Sequence, residues 1–174
     1  MKRQLAQLEL DPVVGLRADD TVRCLEPLLI TSERTVAAPT HLVHALLADV
    51  EAWALWSPHI SRVEPSSGSV AAGWTGQVKA WFSPTATTMR VTWAEPGRGM
   101  GWESTALGHV LRYEHRIEPV PGGSRVTFGA HVDGRFGEQL TALAKPLSAF
   151  GQRRRLARLA ALAEFETRRG SGTR

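Results

Sequence analysis

The sequence predicts one α+β domain in which a seven-stranded antiparallel sheet surrounds a long C-terminal helix. Three observations predict this class: turn-forming residues recur at short intervals between His59 and Asp133, a helical pattern of leucines continues to about Arg168, and a β-like segment followed by short helical segments precedes them. The 174 residues are 43% hydrophobic and 22% charged, which is enough apolar content for one continuous core.

Residues 28–58 predict a strand followed by two short helices. Residues 28–37 combine β-branched residues with polar alternation and stop before Pro39, which suits a first helical turn because its missing N–H is not needed there. Asp49 can cap the second helix, in which Trp53 and Trp56 lie three residues apart and therefore share a face.

Six further strands and the long helix complete the prediction. Because the connections are short, neighbouring strands are expected to pair antiparallel. The six segments are 59–65, 74–82, 87–94, 100–107, 109–119 and 124–133. The helix carries an apolar stripe made of Leu140, Leu143, Leu147, Phe150, Leu156, Leu159, Ala163 and Phe165. Pro146 lies inside this helix and removes one hydrogen bond, so a kink or a break is expected over residues 142–145.

The composition excludes several classes of protein. The single cysteine, Cys24, excludes an intramolecular disulfide and a CxxC motif, and it suits a reducing compartment. Residues 4–9 are too polar for a secretory signal, and no run approaches the about 18 apolar residues of a membrane span. We therefore expect a cytoplasmic protein. The formal net charge of +4 permits anionic partners without specifying one.

Three local motifs match a known superfamily. They are ITSERTVAAP at residues 30–39, LLADVEAW with the following WSP at residues 46–58, and PVPGGSRVT at residues 119–127. These stretches resemble the START-like (SRPBCC) superfamily, which includes polyketide cyclase/dehydrase and Bet v 1-type proteins. The motifs mark strand ends, helix starts and a hairpin, so they do not identify a ligand.

The resemblance covers about residues 28–168 and implies the helix-grip fold, with an apolar pocket between the sheet and the last helix. On this basis we expect an N-terminal extension over residues 1–26, a START-like ligand-binding domain over 27–169 and a disordered tail over 170–174. Pro146 departs from the uninterrupted last helix that is usual in the superfamily.

Alternation along the sixth strand of the predicted sheet directs polar side chains inward. Leu111 and Ile117 are apolar and charged residues occupy the alternate positions, so His109, Tyr113 and His115 are expected on the inner face.

These inner side chains, with Arg34 of the first strand, are the catalytic candidates. An imidazole in an apolar chamber can titrate near neutral pH and move a proton, and Tyr113 can donate to a developing enolate oxygen. Arg34 can hold a carboxylate, although an edge strand can also turn it outward. Each residue also has a purely structural interpretation, because a histidine or tyrosine in a strand is often a packed core residue.

The same alternation predicts the apolar wall of the pocket, to which the first part of the last helix contributes. The expected ligand-binding residues are Val78, Ala80, Phe82, Met89, Val91, Trp93, Trp102, Ser104, Leu111, Phe128, Leu143, Leu147 and Phe150.

Other chemistries have weaker signals. His41 and His44 are an i, i+3 pair without a second cluster, so we expect no metal site. The basic run at residues 152–158 has no interleaved aromatic residues and is interpreted as the solvated face of the helix, so no nucleic acid is expected as a partner.

Three functions are compatible with these residues. The leading hypothesis is a cofactor-free protein, monomeric or dimeric, that binds a hydrophobic oxygenated small molecule and promotes cyclisation or dehydration of a polyketide-like intermediate. The alternatives are a non-catalytic lipid or metabolite carrier with the same pocket, and a stress-type protein-interaction module whose pocket is incidental.

Overall fold

The computed structural model describes residues 30–106, 108–133 and 137–171, and the predicted extension over residues 1–26 lies outside them. The strands are β1 (Ile30–Val36), β2 (Ile60–Pro65), β3 (Thr75–Ala80), β4 (Thr87–Glu95), β5 (Gly99–Ala106), β6 (His109–Val120) and β7 (Gly123–Asp133). The helices are α1 (Thr40–Ala48), α2 (Trp53–Trp56) and α3 (Gly137–Ser171), with a 3₁₀ turn at Val50–Ala52. The predicted class and order of elements are confirmed.

All seven strands form one antiparallel sheet in the order β1-β7-β6-β5-β4-β3-β2. Strands β2 to β7 are the predicted meander, and β1 pairs with β7, in register from Ile30 opposite Ala130 to Val36 opposite Ser124. The first and last strands of the domain are therefore neighbours, and α3 packs against both of them.

The two short helices follow β1 as predicted. The Asp49 carboxylate accepts a hydrogen bond from the Ala52 backbone N–H, so the predicted cap is confirmed. Trp53 and Trp56 are both fully buried, and the Trp53 indole N–H donates to the Leu47 carbonyl at 2.8 Å. These tryptophans anchor the short helices under the sheet and form the centre of the core.

Helix α3 is continuous from Gly137 to Ser171 and contains Pro146. The predicted break is therefore wrong. Pro146 and Ala142 are both exposed, so the carbonyl that loses its partner at the proline can be hydrated, which limits the cost of the missing hydrogen bond. The helix also includes residues 170 and 171 of the predicted disordered tail, and residues 172–174 lie outside the described part.

Candidate functional site

Strand β6 positions the site, and its predicted alternation is confirmed. His115 is only 1% exposed and Ile117 is equally buried, whereas Arg116 and Glu118 are exposed on the other face. Tyr113 lies opposite Trp102 of β5 in the register and stacks on it, with 4.1 Å between ring centroids and an angle of 18° between the rings. Both residues therefore face the concave side of the sheet.

His115 lies in an aromatic enclosure. Its ring centroid is 4.2 Å from that of Phe128 on β7 and 6.2 Å from those of Trp53 and Trp56. The imidazole is thus surrounded by side chains of the sheet and of α2. In this structure His115 contributes to the packed core as well as being a candidate for chemistry.

Arg155 of α3 is a candidate site residue that the sequence analysis did not select. It was assigned to a solvated basic face, but it is only 4% exposed. Its Nη2 donates to His115 Nε2 at 3.4 Å, and its guanidinium carbon lies 5.4 Å from the Trp56 ring centroid and 5.1 Å from that of Phe128. Because α3 advances one turn in about 3.6 residues, Arg155 shares a side with buried Gln152, whereas Arg153 and Arg154 are exposed. Helical periodicity within the basic run was the signal that could have identified it.

Burial and the Arg155 charge set the protonation states of the site. Burial first, then Arg155 and His59, lower the pKa of His115 well below its usual value, so the imidazole is neutral at neutral pH. Burial raises the pKa of Tyr113, which keeps its phenol protonated. Burial also lowers the pKa of Arg155 to about 10, a value at which the guanidinium is still charged at neutral pH. The expected imidazole titration near neutral pH is therefore wrong for His115.

His59, immediately before β2, is a second polar residue that sequence analysis did not select. Burial and then the Arg155 charge lower its pKa to about 4. Its Nδ1 lies 3.4 Å from the hydroxyl of buried Ser57. Because both His59 and His115 respond to Arg155, the guanidinium is the electrostatic centre of the site.

The inner face of β6 is less covered towards its start. His109, Leu111 and Tyr113 are partly buried, as are Ala130 and Val132 at the end of β7. Among the described residues, the concave surface is therefore less covered at this end. A strand advances about 3.4 Å per residue, so His109 lies about 20 Å along β6 from His115, and the two imidazoles cannot contact the same ligand atom.

Two predicted wall residues do not face inward. A bulge between Val91 and Trp93 shifts the alternation of β4, so the Trp93 side chain lies on the outer face of the sheet. There it packs over Gly101. Its indole N–H donates to the Glu114 carboxylate at 3.1 Å. Phe82 follows the end of β3 at Ala80 and is 68% exposed. Both predictions assumed uninterrupted alternation, which fails at bulges and strand ends.

The predicted wall residues of α3 are exposed. Leu143 is 82% exposed, Leu147 78% and Phe150 63%, whereas the buried residues of this helix include Thr141 and Leu156. Leu147 and Leu156 are nine residues apart, which is about 2.5 helical turns, so they lie on opposite sides of α3. The apolar residues of this helix form two stripes and not one.

The other predicted wall residues lie on the concave side of the sheet. Val78, Met89, Val91, Trp102, Ser104 and Phe128 are buried, and Ala80 and Leu111 are partly buried. Arg34 is exposed at the sheet edge, where it borders a groove of about 430 Å³ with Ser32, Arg153 and Leu156. The structure therefore does not bring Arg34 to His115 and Tyr113, because an edge strand leaves its side chain in solvent.

Two further features are absent from the described residues. Within them, no group of three His, Cys, Asp or Glu side chains could hold a metal ion. No helix of that part of the chain is long and apolar enough to cross a membrane.

The sequence itself matches a family. The profile of the family described as "Polyketide cyclase / dehydrase and lipid transport" matches residues 28–164. The chain belongs to this family. No curated protein sequence matches the chain.

Solved structures have the same fold as this family member. The di-domain ARO/CYC protein StfQ from the steffimycin biosynthetic pathway is 19% identical with a TM-score of 0.59, over 80% of this chain and 46% of that chain. Protein CV1439 from Chromobacterium violaceum is 18% identical with a TM-score of 0.59, over 78% of this chain and 96% of that chain. Ara h 8.0201 is 14% identical with a TM-score of 0.55, over 76% of this chain and 97% of that chain. These similarities concern the fold alone, and they confirm the helix-grip architecture.

Proposed function

We propose that this protein binds a hydrophobic, oxygenated small molecule on the open part of its concave face and promotes its cyclisation or dehydration without a cofactor. The substrate is a polyketide-like intermediate, and the reaction is of the lyase or isomerase type. The observation that carries the proposal is the position of Tyr113, which stacks on Trp102 at the limit of the open surface, with neutral His115 two residues further along the strand.

The two side chains have complementary roles in this proposal. The Tyr113 phenol, kept protonated by its raised pKa, donates to the carbonyl oxygen on which enolate charge develops. Neutral His115 accepts the proton from the α-carbon. Its hydrogen bond from Arg155 is long at 3.4 Å, so the Nε2 lone pair exchanges only a weak partner for the substrate proton. In a dehydration the same proton passes to the departing β-hydroxyl, so water leaves and both residues return to their starting states.

A β-hydroxyketone provides a direct test. We expect the protein to accelerate dehydration of 4-hydroxy-4-(2-naphthyl)-2-butanone, followed by the ultraviolet absorbance of the conjugated enone. Tyr113→Phe and His115→Asn should each reduce the rate by about 100-fold or more, the usual contribution of general acid–base catalysis. His41→Asn, an exposed position on α1, is the control and should leave the rate unchanged. Equal rates for the two site variants and the wild type would overturn the proposal.

A carrier function is the second candidate, and one observation favours it. The burial and the Arg155 charge that keep His115 neutral also weaken it as a base, and the family description includes lipid transport. A carrier should bind the naphthyl ketone without accelerating its dehydration, and its affinity should be unchanged in Tyr113→Phe.

A further inference from the structure

The guanidinium of Arg155 is a buried charge without a counter-ion among the described residues. No carboxylate in that part of the chain forms an ion pair with it, and its Nε is buried without a hydrogen-bond acceptor. Gln152, one turn earlier on α3, is also buried, but its side-chain oxygen forms no hydrogen bond with Arg155. Buried charges in proteins are normally paired, so this one requires an explanation.

The side chains around Arg155 present further unpartnered donors. A guanidinium can only donate, so His115 Nε2 must be the acceptor in the hydrogen bond between Arg155 and His115. The proton of the neutral imidazole is then on Nδ1. That Nδ1 is buried without a partner, as are the indole nitrogens of Trp56 and Trp102. Three of these buried N–H donors, those of Arg155, His115 and Trp56, thus lie in one cluster of contacting side chains and lack acceptors. Trp102 adjoins this cluster through Trp53. The cluster complements a ligand that carries acceptor oxygens and negative charge.

Packing alone does not account for this arrangement. The guanidinium lies over the rings of Trp56 and Phe128, and such cation–π contacts are favourable. Removal of a charge from water costs more than these contacts return, because the desolvation penalty is larger than a typical cation–π energy. A residue retained at a cost to stability indicates a role in binding.

The guanidinium also lies close to the open surface. Arg155 lies over Phe128, and the next residue of β7 on the same face is Ala130, about 7 Å along the strand. Ala130 is small and partly buried, and it lies opposite Tyr113 in the register. A ligand resting on Ala130 would therefore lie beside Tyr113 and one inward-facing position from Phe128, over which the guanidinium lies.

We propose that Arg155 selects hydrophobic ligands that carry a carboxylate, which pairs with the guanidinium while the apolar part of the ligand lies over Ala130 and Tyr113. This inference rests on the proposed binding function and adds the charge of the ligand to it. The guanidinium is suited to this role because its planar set of donors matches the two oxygens of a carboxylate. Ligand binding would supply the missing counter-ion.

Two probes of the same shape and different charge test this inference. The dissociation constants of 2-naphthoate and 2-naphthamide are measured by calorimetry at constant ionic strength and pH 7. The wild type should bind the carboxylate at least about tenfold more tightly than the amide, as expected for a charge pair shielded from water. In Arg155→Met this ratio should fall to about one while the amide affinity stays the same. Arg154→Met removes the same charge from the neighbouring, exposed position and should keep the wild-type ratio.

The outcomes distinguish this inference from the proposed function. If the wild type binds both probes equally, or if Arg155→Met keeps the preference for the carboxylate, the role of Arg155 is refuted while the hydrophobic site stands. If the wild type binds neither probe, the proposed binding site itself is refuted. Amide binding by Arg155→Met also shows that the variant is folded, and the wild-type ratio tests the inference without any variant.

Discussion

The two ends of the inner face of β6 differ in how they are covered. At one end His115 and Ile117 are buried beneath α2 and the C-terminal half of α3, with Trp53, Trp56 and Phe128 filling the space. At the other end, residues 109–113 are partly buried, and Leu143 and Leu147 of α3 are exposed.

This difference shows how one sheet can combine a stable core with a binding surface. The packed end supplies the apolar contacts that hold the strands and helices together, and the open end leaves a concave surface for a ligand. Tyr113 lies where the two ends meet. Of the polar residues with perturbed pKa values, Tyr113 lies at this boundary, whereas His115 and Arg155 lie next to it on the packed side.

The largest expected effect separates the two halves of α3. Leu159→Ala should lower the free energy of unfolding by about 2–5 kcal/mol, because Leu159 is fully buried and its truncation leaves a cavity. Leu147→Ala is the matched control on the same helix and should change it by less than about 0.5 kcal/mol. Urea denaturation measures the free energy of unfolding of both variants and of the wild type. A large loss for Leu147→Ala would mean that the N-terminal half of the helix is packed like the C-terminal half.

A second prediction concerns the pH dependence of stability at the packed end. The pKa values of His59 and His115 are lowered on folding, so the unfolded chain takes up protons first as the pH falls below about 6.5. The stability contributed by these neutral imidazoles is present above that pH and is lost as the pH falls towards their folded values. We expect a loss of the order of 1 kcal/mol for His59 between pH 6.5 and 5.

Denaturation at several pH values, with His59→Asn as the comparison, measures this contribution. The variant should show a smaller decrease over the same interval. An identical pH dependence in the variant and the wild type would show that burial of His59 does not affect its protonation.

The smallest expected effect concerns the outer face of the sheet. Trp93→Phe removes the hydrogen bonds from the indole N–H to Glu114 and should cost about 0.5–1.5 kcal/mol of stability. Because Trp93 lies outside the concave face, the variant should bind 2-naphthamide as the wild type does. Weakened binding in the calorimetric titration would place Trp93 inside the pocket, contrary to the bulge in β4.

The fold could be predicted because its signals are local. Turn residues, alternation and the cap at Asp49 each act within a few positions, and the structure confirms the strands, the short helices and the long helix. The orientation of His115 and Tyr113 followed from regular alternation in β6, which contains no irregularity in its pairing with β5 or β7.

The errors arose where a longer-range feature decided the outcome. One bulge reversed the orientation of Trp93, and half a helical turn separated Leu147 from Leu156. Arg155 is assigned to solvent when the whole basic run is taken as one exposed face, although its helical spacing from Gln152 separates it from Arg153 and Arg154. The position of α3 over Phe128 shows what buries it. Its effect on the pKa of His115 could not be predicted without that placement.

The protonation state of His115 tests the account of the site most directly. With ¹⁵N-labelled histidine, long-range ¹H–¹⁵N correlation spectra report the charge and tautomer of each imidazole, and His115→Gln assigns the signal. We predict that His115 is neutral at pH 7.5 and still neutral at pH 6.5, with the proton on Nδ1 and none on Nε2, because it is buried and accepts from Arg155. A titration near pH 6.5, or a proton on Nε2, would contradict the buried pair of His115 and Arg155 on which the proposals depend.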